Sequence, residues 1–359
     1  MNITFLVGNG FDVATGLHTG YKDFYDWYYK VPGSENEDSN LQEFKKSIHE
    51  YVERVNKKEE KEQETWADFE LGLGEYTEKF KEDQGNDFLL CREDAFSKLI
   101  EYLRKQQKAF DADSLSEEDV ERIRMHLGKF YAELPIMQKE RIEQLFQSVQ
   151  NQNSKIRFVS FNYTEVLDKV VGKISNTPIR SWKYGSSNLV YHIDSQVLHV
   201  HGRLDEYPIL AVNDEEQIKN KDLLSVEGFK ETMIKSTGVE TIGQDWYKKA
   251  EQMIDSSRII CIYGMSMGAT DKKWWAQVAD WLTRNSSNFL VIFQYFKFEI
   301  SGTSIRQYVK NKNMVIDKFL SHSDLAEDKK ELIRDRIHVV FNTKCVLQIK
   351  DKTRESVSV

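Results

Sequence analysis

Strand-like sequence opens this chain, gives way at about residue 21 and returns only after residue 151. Residues 2–7, Asn2-Ile3-Thr4-Phe5-Leu6-Val7, form a short apolar run closed by Gly8-Asn9-Gly10. That is the pattern of a buried strand entering a tight turn. Between 21 and 150, charged runs alternate with apolar stripes. Phe96, Leu99, Ile100 and Leu103 fall at i, i+3, i+4 and i+7, as do Ile142, Leu145, Phe146 and Val149. This spacing predicts a helical block of four to six helices. Residues 33–40 read as a loop, and Lys57-Lys58-Glu59-Glu60-Lys61-Glu62 as a solvated helix face.

After 151, the stretches Ile156–Phe161, Gln196–Val200, Arg258–Tyr263, Phe289–Phe293 and Ile337–Phe341 read as strands. Helical spacing separates several of them, as in Trp274, Val278, Trp281 and Leu282, whose aromatics read as core. Alternating strands and helices predict an α/β fold with a mostly parallel, Rossmann-like sheet covered on both faces. The expected organisation is one discontinuous nucleotide-binding α/β domain, residues 1–20 and 151–350. A large helical insertion, 21–150, follows the first strand, and 351–359 form a flexible tail.

Composition narrows the function classes. Lys plus Arg number 50 against 58 Asp plus Glu, a net charge of −8 that argues against broad nucleic-acid affinity. No run approaches the roughly 20 apolar residues of a membrane span. Six apolar residues without a basic leader are too few for a signal-peptide core. Three unevenly spaced cysteines, Cys91, Cys261 and Cys345, suit a reducing cytoplasm rather than a disulfide framework or a cysteine zinc site.

Four segments carry possible chemistry. Gly8-Asn9-Gly10-Phe11-Asp12 follows the first strand, where glycines let backbone approach a phosphate. Val13 stands where the dinucleotide fingerprint wants its third glycine, so an ordinary tight turn is the competing reading. Asn162 and Thr164 end another strand, as ligands for ribose or water or as helix caps. His199-Val200-His201-Gly202 places two histidines on one strand face, as a general base, a structural pair or metal ligands; no third ligand has convincing spacing. Gly264-Met265-Ser266-Met267-Gly268 matches the nucleophile elbow Gly-x-Ser-x-Gly, with Asp271 or another acid, and His322 or His338, as triad partners.

The order of these segments, with Trp66-Ala67-Asp68-Phe69-Glu70 between the first and second, resembles the AbiH family of bacterial abortive-infection proteins directed against phage. More distantly it is similar to sirtuin-like NAD-binding domains. That resemblance implies NAD as substrate or ligand, without a metal. Asn162 and His201 would be the catalytic pair. Gly8, Asn9, Gly10, Asp12, Thr164, Gly264, Ser266 and Asp271 would bind the cofactor. Thr164 stands where the family often has Asp, and Asn9 replaces a small residue. The Cys-x-x-Cys ribbon of protein-deacylating sirtuins is missing, which directs the resemblance toward NAD cleavage rather than peptide deacylation. It also implies a nucleotide ligand, a homo-oligomer or a phage or host protein trigger, and a cytoplasmic protein. The alternatives are a non-catalytic nucleotide sensor that signals to a partner, a serine hydrolase or a nuclease.

Overall fold

A computed structural model describes residues 1–30, 39–58, 65–298 and 304–349. The predicted loop at 33–40 lies mostly outside them, as do part of the 57–62 charged run and the 351–359 tail. The fold is mixed α/β. Seven strands form one sheet: β1 Asn2–Val7, β2 Ser154–Ser160, β3 Arg180–Tyr184, β4 Ser187–His199, β5 Ile259–Tyr263, β6 Phe289–Gln294 and β7 Ile337–Phe341. Their order is β3-β4-β2-β1-β5-β6-β7, and only β3 pairs antiparallel.

The central strands are apolar on both faces because both faces are covered. In β1, Ile3, Phe5 and Val7 enter one core, and Leu6 enters the other. Trp274, Val278, Trp281 and Leu282 fill the second core, as their helical spacing predicts. No helix among the described residues is long and apolar enough to cross a membrane.

Among the described residues, six α-helices lie between Tyr21 and Ser148. They pack in two places. Ile123, Leu127, Phe130 and Ile142 cover the first face of the sheet. Phe24, Phe44, Phe69, Phe88 and Leu99 form a third core with Leu210, Leu223 and Phe229 from the segment after β4. The helix Trp66–Tyr76 belongs to this third core, and it reaches the ends of the strands.

The sequence reading missed β3 and residues 187–195 of β4. These residues are a hairpin at the sheet edge, joined through Gly185 at φ +60. β3 is largely exposed, so no apolar run marks it.

Strand order sets where the site can be. From β1 the chain builds outward through β2 and β4, then returns to β5 on the other side of β1. In open α/β sheets, such a reversal opens a crevice at the carboxyl ends of the strands. The β1, β2, β4 and β5 ends carry the four motifs read above.

Candidate functional site

Two glycine turns meet at the reversal. Gly8 donates its N–H to the Tyr263 carbonyl at 2.9 Å, and Gly10 donates to the Gly264 carbonyl at 2.8 Å. A Cβ on Gly10 would lie 2.6 Å from the Gly264 Cα, and Gly264 holds φ +65. The glycines let two backbones touch, and the two N–H groups are engaged by protein carbonyls. Asn9 donates its side-chain amide to the Thr19 carbonyl at 2.9 Å.

Behind this contact lies Asp12, 1 % exposed. Asn162 donates its amide to Asp12 Oδ1 at 3.0 Å and to the Gly8 carbonyl at 3.3 Å, and Thr164 donates its hydroxyl to Asp12 Oδ2. Because both partners of the Asn162 nitrogen are acceptors, the amide orientation is dictated and its oxygen is what it offers a ligand. Burial pushes the Asp12 carboxyl up to about 6, against the lowering effect of the Thr164 and Asn162 hydrogen bonds.

The two histidines do not share one face. β4 ends at His199, and the chain then turns into Gly202 at φ +75. A Cβ at Gly202 would lie 2.3 Å from the Tyr207 carbonyl oxygen, so glycine permits this fold-back. Strand alternation therefore stops before His201, which corrects the same-face expectation. His199 places Nδ1 2.8 Å from the Asn162 carbonyl and Nε2 2.8 Å from Asp168 Oδ2. Arg203 donates to the other Asp168 oxygen at 3.2 Å. His201 instead packs edge-on against Phe161, 5.4 Å between ring centres. Its Nε2 lies 3.2 Å from Asp271 Oδ1 without making an aligned hydrogen bond.

Around Asp271 a buried ionic cluster forms. Lys235 donates to Glu70 Oε2 at 2.9 Å, Asp271 Oδ1 at 3.0 Å and the Thr270 carbonyl at 3.1 Å. Burial works to raise the Asp271 carboxyl, but Lys235 and His201 hold it well below the carboxylate range. Burial pushes Glu70 up to about 7 even with Lys235 beside it. Burial and then the Lys235 charge push the His201 imidazole down, toward its neutral form.

The structure thus brings together Gly8, Gly10, Asp12, Asn162, Thr164 and Gly264, and separately His201 with Asp271. Ser266 is exposed on the turn after β5. The left-handed residues of that turn are Gly264 and Met267, at φ 65 and 51, and neither is the serine that a nucleophile elbow would strain. His338, a proposed triad partner, lies fully buried and stacked on Phe289.

Lys235, Asp168 and Arg203 escaped the sequence reading. Lys235 carries no local signal; it sits at the start of a short helix, and its partners are far away in sequence. Glu70 falls within the Trp66–Glu70 motif, but its role appears only when the helix Trp66–Tyr76 docks. That docking is tight: a Cβ on Gly268 would lie 2.3 Å from the Ala67 Cβ. A cleft of about 460 Å³, lined by Met1, Asn2, Asn153 and Arg258, opens at the opposite ends of the strands. None of the motif residues lines it.

Among the described residues, no three His, Cys, Asp or Glu side chains group as metal ligands. No curated protein matches the chain. Its residues 4–293 match the family described as "Bacteriophage abortive infection AbiH", and the chain belongs to that family of abortive-infection proteins.

Proposed function

We propose that this abortive-infection protein acts on NAD, or a related nucleotide, by hydrolysing its N-glycosidic bond. The reading rests on one observation. A buried carboxylate–amide pair, Asp12 and Asn162, and a buried histidine held near an aspartate, His201 and Asp271, stand at the ends of neighbouring strands where the sheet order reverses.

In this reading, Asn162 accepts a hydrogen bond from a ribose hydroxyl or from the attacking water. The bond between the ribose anomeric carbon and the nicotinamide nitrogen breaks, and nicotinamide leaves as a neutral base. Water forms the new bond to the anomeric carbon, and its proton passes to neutral His201. Asp271 compensates the resulting imidazolium. Asp12 fixes Asn162, while Thr164 completes the hydrogen bonding of Asp12. Asn9 and the exposed Ser266 stand at the rim to contact phosphate or the second ribose. Gly8, Gly10 and Gly264 shape the floor by close contact. Cofactor depletion would arrest the infected cell, which suits the abortive infection in the family description.

The organisation proposed with this activity is a Rossmann-like nucleotide-binding domain with the helical segment inserted after β1. A homo-oligomer or a phage or host protein trigger acting through that segment would restrain the enzyme until infection. A reducing cytoplasm is the proposed compartment.

The test is nicotinamide release from NAD by the purified protein, with His201→Ala as control. Substitution of a general base costs about 10²–10⁴-fold in rate. One feature favours a second reading, a nucleotide sensor without turnover: Thr164 in place of a carboxylate, spending its hydroxyl on Asp12. Calorimetric binding of NAD with no product would select it.

A further inference from the structure

Lys235 Nζ and His201 Nε2 face the same atom, Asp271 Oδ1, at 3.0 and 3.2 Å. An ammonium has three donors. Lys235 spends one on that oxygen and the others on Glu70 and the Thr270 carbonyl. The three donors reach two other segments of chain, so the ammonium cannot swing away. His201 Nε2 is left close to the carboxylate but unaligned with it.

We propose that Lys235 is the positioning residue that keeps His201 in its neutral, basic form, by competing with it for Asp271 Oδ1. Glu70, from the helix Trp66–Tyr76, holds Lys235 in that competing place. The proposal deepens the reading of His201 as the general base and rests on it.

Charge counting supports the assignment. The side chains of Lys235, Glu70, His201 and Asp271 are 4, 7, 5 and 18 % exposed. With Glu70 protonated and His201 neutral, Lys235 and Asp271 sum to zero. With Glu70 ionised, the sum is zero only when His201 carries a proton. A buried site tolerates net charge poorly, so the cluster retains one proton, resident on Glu70 or on His201. Accepting a proton at His201 is therefore coupled to ionisation of Glu70. The other titratable groups facing the cluster are Tyr163, Tyr247 and His199. Burial pushes both tyrosine hydroxyls up, so they stay neutral. His199 is tied to Asn162 and Asp168.

The arrangement also places one group of the helical segment in control of the base. Withdrawing that helix by a few ångströms would take Glu70 from Lys235.

The experiment is a pH titration of the histidine ring signals by NMR, on full-length protein labelled at histidine. The His201 signal is assigned by its loss in His201→Gln. In Glu70→Gln/Lys235→Met, His201 faces Asp271 without the ammonium, and its midpoint rises above wild type by about one unit or more. In Glu70→Gln alone, the ammonium loses its second carboxylate and the midpoint falls below wild type. Where the double variant with Met does not fold, Glu70→Gln/Lys235→Gln replaces it with the same expected rise. A double variant that is folded and titrates at or below the wild-type midpoint overturns the proposal. This readout needs no turnover. Absent NAD hydrolysis with a shifted midpoint removes the proposed activity and leaves the positioning role. Hydrolysis with an unshifted midpoint does the reverse.

Discussion

His199 and His201 stand one residue apart, and the fold gives them opposite situations. Both ring nitrogens of His199 are engaged, by a carbonyl and by a carboxylate that Arg203 also grips. His201 is equally buried, yet its ring meets one shared oxygen and an aromatic edge. The first arrangement ties the start of the β2–β4 connection to the end of β4. The second, in the proposed reading, leaves a basic group beside Asp271 and Lys235. Burial does not distinguish the two histidines; the number of partners that hold each one does.

Substitutions separate the two situations. Lys235→Ala removes the buried ammonium that pairs with Glu70 and Asp271. Breaking a buried pair in this way costs about 3–5 kcal/mol, visible as a large fall in the urea midpoint. A variant as stable as wild type would show that the cluster is not closed to water. Gly264→Ala puts a Cβ 2.7 Å from the Phe11 nitrogen in a left-handed conformation. A loss of about 3 kcal/mol is expected, read from the same melts. An unchanged midpoint would mean that the two turns do not touch in solution.

Asp12 supplies a pH-dependent test. Its carboxyl is raised from 3.8 to about 6, so the folded protein keeps a proton there that the unfolded chain has released. The stability this group contributes is complete below about pH 4 and is lost as pH rises through about 6. Asp12→Asn does not ionise. Its stability relative to wild type should therefore improve by about 2–3 kcal/mol between pH 4 and 7. A difference that is flat with pH would contradict the buried setting of Asp12. Smaller again is His199→Ala. It orphans the Asn162 carbonyl and one Asp168 oxygen, costing about 1–3 kcal/mol. Against it, His201→Ala should be closer to wild type in stability, because it removes no aligned hydrogen bond. The reverse ranking would exchange the two roles.

Much of the frame was legible in sequence because burial on both faces leaves continuous apolar runs. Residues 2–7, 259–263 and 337–341 could be read in this way. The edge hairpin could not, since Arg180–Tyr184 is exposed and carries no apolar period. At the candidate site, Asn162, His201 and Asp271 stand out in the sequence because each follows a predicted strand, the last two with a glycine nearby. Their partners do not, because a contact such as Lys235–Glu70 spans 165 residues and leaves no local pattern. The same-face reading of the histidines failed for a related reason. It assumed that the strand continues, and β4 ends at His199, two residues before His201.

In the proposed function His201 is the base of a nucleotide-cleaving site, and His199 is a structural tie. The most direct measurement follows nicotinamide release from NAD by wild type, His201→Ala and His199→Ala, each confirmed folded. The expected result is release by wild type, a loss of about 10²–10⁴-fold in His201→Ala, and a much smaller loss in folded His199→Ala. Release that survives in His201→Ala, or no release by wild type under any condition that binds NAD, would contradict it.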